Sequence, residues 1–245
     1  DPAVTGVLAD ASSLLLARTG SAALEGYQSG PDRVDRIAEA IYDALVSRQI
    51  SYSDPPASWD VESLSCVSLI DPGQEIVGGQ KIRTHAQVLG EHFATCLDST
   101  LLFAACLEQA GVAPLVWMPQ GHAFVGYWRD EEATAPPVTV APEYIGTERE
   151  GDIFNALLNA VDVGRMSVVE TTAMARAASV PSFADAVRIA TATRIKGEVK
   201  GFIGVIDIRA CRRQGQDRFL VRQFRRHQQA RPGSLPTLQR CAAGI

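Results

Sequence analysis

The sequence predicts an α+β layer fold built around one buried helix. Residues 97–110 are apolar on almost every side, as in a helix surrounded by protein. Two strand-like runs follow it, 113–118 and 122–128, separated by the turn sequence Pro119-Gln120-Gly121. Helical patterns dominate the chain before these strands, and helices and strands are mixed after them. This order favours an α+β arrangement in layers.

The first part of the chain predicts two helices and one short extended segment. Apolar residues recur at helical spacing over 4–18. The break at Ser29-Gly30-Pro31 precedes a second helix, for which Asp32 is the predicted N-cap and residue 48 the approximate end. An extended segment is predicted over 50–53. Glycine and proline clusters predict a loop or insertion over 62–79.

The rest of the chain predicts further short elements around the buried helix. A helix over 82–89 comes before it, and Gly111 is expected to end the buried helix from the C′ position. The elements predicted downstream are helices over 152–163 and from the N-cap Ser182 to about residue 193, and strands over 166–170 and 202–208.

Composition and charge predict a globular protein with a basic C-terminal segment. Of the 245 residues, 46% are hydrophobic and 21% are charged, as is usual in soluble domains. Residues 209–245 contain nine arginines, no lysine and one acid, Asp217, so their net charge is +8. Because the whole chain carries −5, residues 1–208 have a net charge of −13. We divide the chain into a helical lead-in (1–30), a main domain (31–208) and a basic tail or linker (209–245). Nucleic acid is expected to meet only the tail, if any part of the chain, because the body is acidic.

Missing patterns exclude several classes of protein. No apolar run approaches the roughly 18 residues of a membrane span, and no basic segment followed by an apolar one predicts a signal peptide. The five cysteines are sparse and form no CxxC or CxxH pair, so neither a disulfide framework nor a structural zinc site is expected. This usage is typical of a cytoplasmic protein. No glycine-rich phosphate-binding motif is present, and we expect no cofactor and no metal.

One segment has the residue types of a cysteine nucleophile. Thr95 is placed to N-cap the buried helix, and Asp98 completes a capping box. Cys96 then lies in the first turn, where the positive end of the helix favours a thiolate. Cys106 lies further along the helix among apolar neighbours and is interpreted as a packing residue. Cys96 is therefore the candidate nucleophile.

A histidine and an acid are needed to complete such a site. His122 follows Gly121 at the start of a predicted strand. A nearby imidazole can share the proton of a thiol and later deliver it to a leaving group. A third polar group must fix the imidazole tautomer. Glu170, at the end of a predicted strand, is the candidate, and Asp130 and Glu143 are its rivals.

Together these motifs resemble the transglutaminase-like cysteine superfamily, whose core is similar to that of papain. The resemblance implies a central helix that carries the cysteine and packs on an antiparallel sheet, with the histidine on the next strand and the acid on the following one. A closer resemblance is to a bacterial module embedded in large multidomain proteins with helicase-like regions. The motifs that carry these resemblances are Thr95-Cys96-Leu97-Asp98, Gly121-His122-Ala123-Phe124, Val169-Glu170-Thr171-Thr172, Gly26-Tyr27-Gln28-Ser29-Gly30, Pro55-Pro56-Ala57-Ser58, Gly79-Gln80-Lys81-Ile82-Arg83 and residues 204–209.

By this resemblance, Cys96 is the nucleophile, His122 the base and Glu170 the acid. Glu170 stands where the family usually has Asp, and Thr171 where it usually has Pro. Gln80 is a candidate side-chain donor to the oxyanion, by analogy with papain-like sites, in addition to the backbone N–H of Cys96. The implied activity is hydrolysis of an amide in a protein or peptide, as in a peptidase, isopeptidase or deamidase, through a thioester and without a cofactor.

Two alternatives to hydrolysis remain open at this point. The thioester of a transglutaminase-like enzyme can be resolved by an amine, which gives acyl transfer in place of hydrolysis. The domain can also be a non-catalytic protein-interaction or regulatory module of a larger DNA-processing protein, with helicase-like domains on the same parent chain. The composition of the sequence does not decide among these readings.

Overall fold

Helices and an antiparallel sheet together form the described part of the chain, so the predicted α+β class is confirmed. The structure is a computed structural model. It describes residues 1–53, 82–119, 121–136, 138–140, 148–175, 179–195 and 202–214. The loop or insertion predicted over 62–79 lies outside these residues. Within them, no helix combines the length and the apolar character that a membrane crossing requires.

Two N-terminal helices pack together and share one hydrophobic cluster. They are α1 (Pro2–Thr19) and α2 (Pro31–Val46), close to the predicted segments. The predicted cap of α2 is wrong, because Gly30 is the N-cap and Asp32 lies in the first turn. Proline at the first helical position explains the difference: its fixed φ suits a helix start, and its missing N–H needs no partner there.

A two-stranded parallel sheet and a short helix come before the buried helix in the chain. β1 (Ser51–Tyr52) pairs with β2 (Phe93–Ala94), and α3 (His85–Glu91) lies between them in the chain. The helix predicted over 82–89 therefore begins later than expected. Thr84 sets its start, since its hydroxyl accepts from the Gln87 amide and the Gln87 side chain accepts from the Thr84 amide.

The buried helix, α4 (Cys96–Gln109), lies between the two N-terminal helices and the sheet. Its buried side chains occur on all sides, as the sequence predicted. Thr95 and Asp98 form the predicted capping box, and Gly111 follows the helix with φ +78°. These predictions are confirmed because a cap and a glycine stop have causes within a few residues of the chain.

Five antiparallel strands form the main sheet in the order β5-β7-β3-β4-β6. The second predicted strand begins two residues later than expected, because His122 lies in the turn where its amide donates to the Pro119 carbonyl at 3.1 Å. Glu170 likewise lies just beyond the last strand residue, Val169. The strands are β3 (Pro114–Pro119), β4 (Phe124–Trp128), β5 (Val138–Val140), β6 (Met166–Val169) and β7 (Phe202–Asp207).

Both faces of this sheet are apolar and covered by helices. On β4, Val125 and Tyr127 join the cluster of the first two helices and α4, whereas Phe124 and Trp128 join a second cluster. Helix α5 (Glu148–Asp162) supplies the other wall of that second cluster. The later elements of the described part of the chain are α6 (Phe183–Ile189), which begins at the predicted cap Ser182, a π-helical turn (Ala190–Ile195) and α7 (Ile208–Arg213).

Candidate functional site

A buried ionic network fixes the start of α4. The Thr95 amide donates to Asp98 Oδ2 at 3.0 Å, and the Asp98 amide donates to the Thr95 hydroxyl at 3.2 Å. Arg83 adds two bonds to the same carboxylate, from its amide at 2.9 Å and from Nη1 at 3.0 Å. Since the Asp98 side chain is fully buried, these donors replace the water that an exposed carboxylate would have. The first helical turn, which carries Cys96, is therefore held from two directions.

Cys96 is the first residue of α4, and only 3% of its surface is exposed. Its N–H is one of the four at a helix start that have no partner within the helix. Around the thiol lies a small apolar cluster, separate from the two large ones and formed with Leu97, Ala123, Ile82 and Leu101. The positive end of the helix dipole lies at this place.

His122 contacts both of the other predicted site residues. Its Nε2 lies 2.9 Å from Oε2 and 3.1 Å from Oε1 of Glu170, and the Cys96 side chain lies close enough to the ring to raise the pKa of the imidazole. The ring is held on another side by Phe124, with centroids 6.5 Å apart. Because Nε2 is engaged by the carboxylate, Nδ1 is the nitrogen free to exchange a proton with the thiol. The structure thus brings Cys96, His122 and Glu170 together.

The pairing of two strands explains why the imidazole and the carboxylate meet. β4 and β6 run antiparallel, with Val125 opposite Val169. The segment that enters β4 therefore lies beside the segment that leaves β6. His122 belongs to the first segment and Glu170 to the second, although 48 residues separate them in the chain.

The Glu170 carboxylate is buried and fully bonded. Thr172 donates to Oε1 from its amide at 3.1 Å and from its hydroxyl at 2.8 Å. Arg194 Nε donates to Oε2 at 2.9 Å, and His122 contacts both oxygens. Burial by itself raises the pKa of Glu170, but the hydrogen bonds and charge of His122, with the bonds from Arg194 and Thr172, lower it to about 2. The group is a carboxylate at neutral pH.

The electrostatic balance at His122 favours the imidazolium. Burial lowers the pKa of this histidine, whereas its hydrogen bonds with Cys96 and Glu170 and the charge of Glu170 raise it. The positive charge of Arg194 lowers it again. The outcome is a pKa of about 9, so that the ring carries a proton at neutral pH.

Two threonine hydroxyls connect the cysteine helix to the turn after β6. Thr100 Oγ1 donates to the Cys96 carbonyl at 2.8 Å and lies 2.8 Å from Thr171 Oγ1. Because the one proton of Thr100 is used on the carbonyl, Thr171 must donate to Thr100. A proline at the position of Thr171 could not supply this bond. This bond joins the first turn of α4 to the residue next to Glu170.

The rival acids do not take the place of Glu170 in the described residues. Asp130 pairs with Arg165 at 2.9 Å, and its side chain is 43% exposed. Glu143 lies outside the described residues, as does Gln80, the candidate donor to the oxyanion. Sequence reasoning missed the roles of Thr172 and Arg194. The first had a signal, a hydroxyl two residues after the acid, whereas nothing in the sequence pointed to the second.

The thiols of the described residues differ sharply in their surroundings. Cys96, Cys106 and Cys211 are free cysteines. Burial raises the pKa of Cys106 to about 12, which makes this thiol a poor nucleophile at neutral pH.

Among the described residues, no group of three or more His, Cys, Asp or Glu side chains is arranged to hold a metal ion.

The arrangement has the parts that acyl chemistry requires. A thiol at a helix start can attack a carbonyl, an imidazole beside it can carry the proton, and a buried carboxylate can hold the imidazole in one orientation. An amide N–H at the same helix start can bind the oxygen that becomes negative.

Comparison of the chain with protein-family models, with curated proteins and with solved structures found no match.

Proposed function

We propose that this protein is a cysteine-dependent amide hydrolase that acts on a protein or peptide through a thioester. Cys96 is the nucleophile, and His122 is the general acid and general base. Glu170 is the carboxylate that orients His122. One observation carries the proposal: the ring of His122 forms hydrogen bonds with the Glu170 carboxylate and lies close enough to the Cys96 side chain for the two to interact. A histidine between a thiol at a helix start and a buried carboxylate matches the requirements of nucleophilic catalysis.

The fold supports the resemblance to the transglutaminase-like superfamily. The helix that begins at Cys96 packs on the antiparallel strands β3 and β4. His122 comes just before β4, and Glu170 just after the neighbouring strand β6. A helix followed by two neighbouring strands, each with one polar residue at its end, is the order that the resemblance implies.

The first half of the reaction forms the thioester. The thiolate of Cys96 attacks the carbonyl carbon, a C–S bond forms, and the carbonyl electrons move onto oxygen. The N–H of Cys96 donates to this oxyanion. When the intermediate collapses, the C–N bond breaks, and the imidazolium of His122 gives its proton to the departing nitrogen. An amine leaves from a peptide or isopeptide, and ammonia leaves from a carboxamide.

The second half of the reaction releases the acid product. Neutral His122 takes a proton from water, and the resulting hydroxide attacks the thioester carbonyl. The C–S bond breaks as the carboxylic product forms, and Cys96 leaves as a thiolate beside the reprotonated imidazole. Glu170 keeps Nε2 as the donor throughout, so that Nδ1 handles every proton transfer. The buried carboxylate therefore acts on orientation and charge, and it does not move a proton itself.

Selective alkylation of Cys96 is the first test. We expect iodoacetamide near pH 7 to modify Cys96 at least about tenfold faster than Cys106 and Cys211, because His122 lies beside Cys96 and can take the thiol proton, whereas burial raises the pKa of Cys106. His122→Ala should remove most of this advantage. Peptide mapping by mass spectrometry measures each cysteine in the same sample, and Cys106 and Cys211, which are buried as Cys96 is, serve as internal controls. Slow and equal labelling of all cysteines would instead favour the non-catalytic module.

The fate of the thioester separates hydrolysis from transfer. We expect a panel of peptides and carboxamides, incubated in water enriched in heavy oxygen, to yield products labelled in the new carboxylate. Incorporation of a fluorescent primary amine in place of heavy oxygen would identify a transferase. Cys96→Ser is the control for both assays and should lower the rate by about 1,000-fold or more. Turnover that survives in this variant would remove Cys96 from the mechanism.

A further inference from the structure

Arg194 reaches the site from an element that the resemblance does not involve. It lies in the π-helical turn Ala190–Ile195, which continues α6. Its Nε donates to Glu170 Oε2 at 2.9 Å, across 24 residues of chain. Its side chain is 35% exposed, while that of Glu170 is 3% exposed. An arginine that points from a partly exposed turn to a buried carboxylate forms a specific contact, unlike a surface ion pair.

The local backbone supports a functional interpretation of this contact. π-Helical turns are rare, and they occur often at functional sites. Arg194 is the second-to-last residue of the turn, and the guanidinium meets the same carboxylate oxygen that lies 2.9 Å from His122. The irregular turn thus coincides with a contact to the group that orients the candidate base.

We propose that Arg194 is a positioning residue, which fixes the Glu170 carboxylate against His122 and limits how strongly that carboxylate holds the imidazolium. The inference rests on the proposed function, since it assigns Arg194 a role in the same site. Glutamate has one more rotatable bond than the aspartate that is usual in the family. Thr172 holds Oε1, and Arg194 holds Oε2, so that together they remove this additional freedom.

The charges around the pair give Arg194 a second effect. His122 faces Cys96, Glu170 and Arg194, and the guanidinium opposes the rise in the pKa of the imidazole that Glu170 produces. Glu170 also influences Tyr42 of α2, whose hydroxyl donates to the Pro181 carbonyl at 2.9 Å. Burial is the main cause of the raised pKa of Tyr42, with contributions from Asp43, Asp185 and Glu170, so this phenol stays neutral over the working range.

The test compares two arginines of the same segment. Arg188 lies on α6 and pairs with Asp185 at 3.0 Å, with 71% of its side chain exposed. Arg188→Ala therefore removes an equal charge without touching Glu170. The pKa of His122 is measured by NMR titration of its ring in the wild type and in R194A, R194K and R188A. Alkylation of Cys96 and kcat/KM are measured in parallel.

We expect R194A to raise the pKa of His122, because a neighbouring positive charge is lost. It should also lower kcat/KM by about 10- to 100-fold, since a loosely held acid no longer fixes the imidazole. In R194K, the pKa of His122 should return most of the way to its wild-type value, whereas kcat/KM should recover less. An ammonium supplies the positive charge without the geometry of the guanidinium. R188A should match the wild type.

The outcomes separate this inference from the proposed function. A pKa of His122 that is the same in R194A as in R188A, or that falls in R194A, would overturn the role of Arg194. A rate loss in R194A without any change in the pKa of His122 would also overturn it, since a merely structural residue would behave in that way. Absence of turnover and of selective alkylation in the wild type would overturn the proposed function instead, whatever the titrations show.

Discussion

Glu170, the candidate acid, has one methylene group more than aspartate, and this group changes what is needed to hold the carboxylate in place. Glutamate places its carboxylate further from the backbone than aspartate does, and each added bond must be held in one rotamer. Here Thr172 and Arg194 hold Glu170, and His122 lies between it and Cys96. The exchange of aspartate for glutamate is thus accompanied by partners that fix the longer side chain.

Replacement of Glu170 tests its charge separately from its length. Glu170→Gln keeps the shape and removes the negative charge, which raises the pKa of His122 together with the interactions of the ring with the Cys96 and Glu170 side chains. We expect this pKa to fall toward its ordinary value of 6.5, and kcat/KM to drop by about 100- to 10,000-fold. The rate of Cys96 alkylation as a function of pH measures the first effect.

Glu170→Asp is the matched variant, because it keeps the charge and shortens the reach. We expect it to retain a raised pKa of His122 and to lose less activity than Glu170→Gln does. If both variants alkylate with the pH profile of the wild type, then Glu170 does not govern the imidazole, and its assignment as the acid is wrong.

Among the elements, those with local causes were the ones that the sequence predicted well. The capping box at Thr95 and the glycine stop at Gly111 depend on neighbours within the same turn, and both are confirmed. The strand β5 was not predicted, since three residues become a strand only because β7 pairs with them. The contact of Arg194 with Glu170 depends on how a π-helical turn packs beside β6, which no local pattern reports.

The end of α4 is fixed by a close approach of two backbones. A Cβ added to Gly26 would lie 2.5 Å from the Gly111 carbonyl oxygen. Gly26 also has φ +60°, a left-handed conformation that other residues adopt with strain. The next residue, Tyr27, accepts from the Ala113 amide at 2.9 Å and donates to the Trp128 carbonyl at 3.0 Å. The Gly26–Gly30 motif therefore holds the N-terminal segment against α4 and the sheet.

Substitution of Gly26 should measure this contact. We expect Gly26→Ala to lower the free energy of unfolding by at least about 2 kcal/mol, from strain in φ and from the clash with Gly111. Gly20→Ala is the control, because Gly20 has φ +73° and an added Cβ would meet nothing within 4 Å. It should cost only about 1 kcal/mol. Equal losses in urea denaturation would mean that the close approach contributes nothing.

At the scale of the whole molecule, the sheet separates two hydrophobic cores. The first contains α1, α2 and α4, so the predicted lead-in of residues 1–30 contributes to the same cluster as the elements after it. The second lies against α5. Asp207, fully buried, joins the end of β7 to β4 and to the loop before β5, since it accepts from Trp128 Nε1 at 3.0 Å and from the Ala135 amide at 3.0 Å. The site lies at one end of this framework, where β4 begins and β6 ends.

The resemblance predicted more of the site than the periodicity did. Hydrophobic patterns located most helices and strands, but they put His122 inside a strand and gave no reason to join it to Glu170. The antiparallel register of β4 and β6 brings these two residues together, and register is a property of the folded sheet. The resemblance implies a histidine on one strand and an acid on the following one, so it carried the expectation that the two residues meet.

The charged pair should make the stability of the whole protein depend on pH. The pKa of His122 rises from 6.5 to about 9 on folding, so the stabilisation of its charged form is complete below pH 6.5 and is lost as the pH rises through 9. The pKa of Glu170 falls from 4.5 to about 2, so its contribution is complete above pH 4.5 and is lost as the pH falls through 2. The pair therefore stabilises the fold most between pH 4.5 and pH 6.5.

Urea denaturation between pH 5 and pH 9 checks this linkage. We expect the wild type to lose on the order of 2 kcal/mol of unfolding free energy over the alkaline half of that range. Glu170→Gln should show a smaller loss there, because its imidazole is less strongly favoured as a cation in the folded state. The difference between the two proteins cancels the other groups that titrate in this range. If the two curves of free energy against pH run parallel, the imidazolium and the carboxylate are not coupled in the native protein.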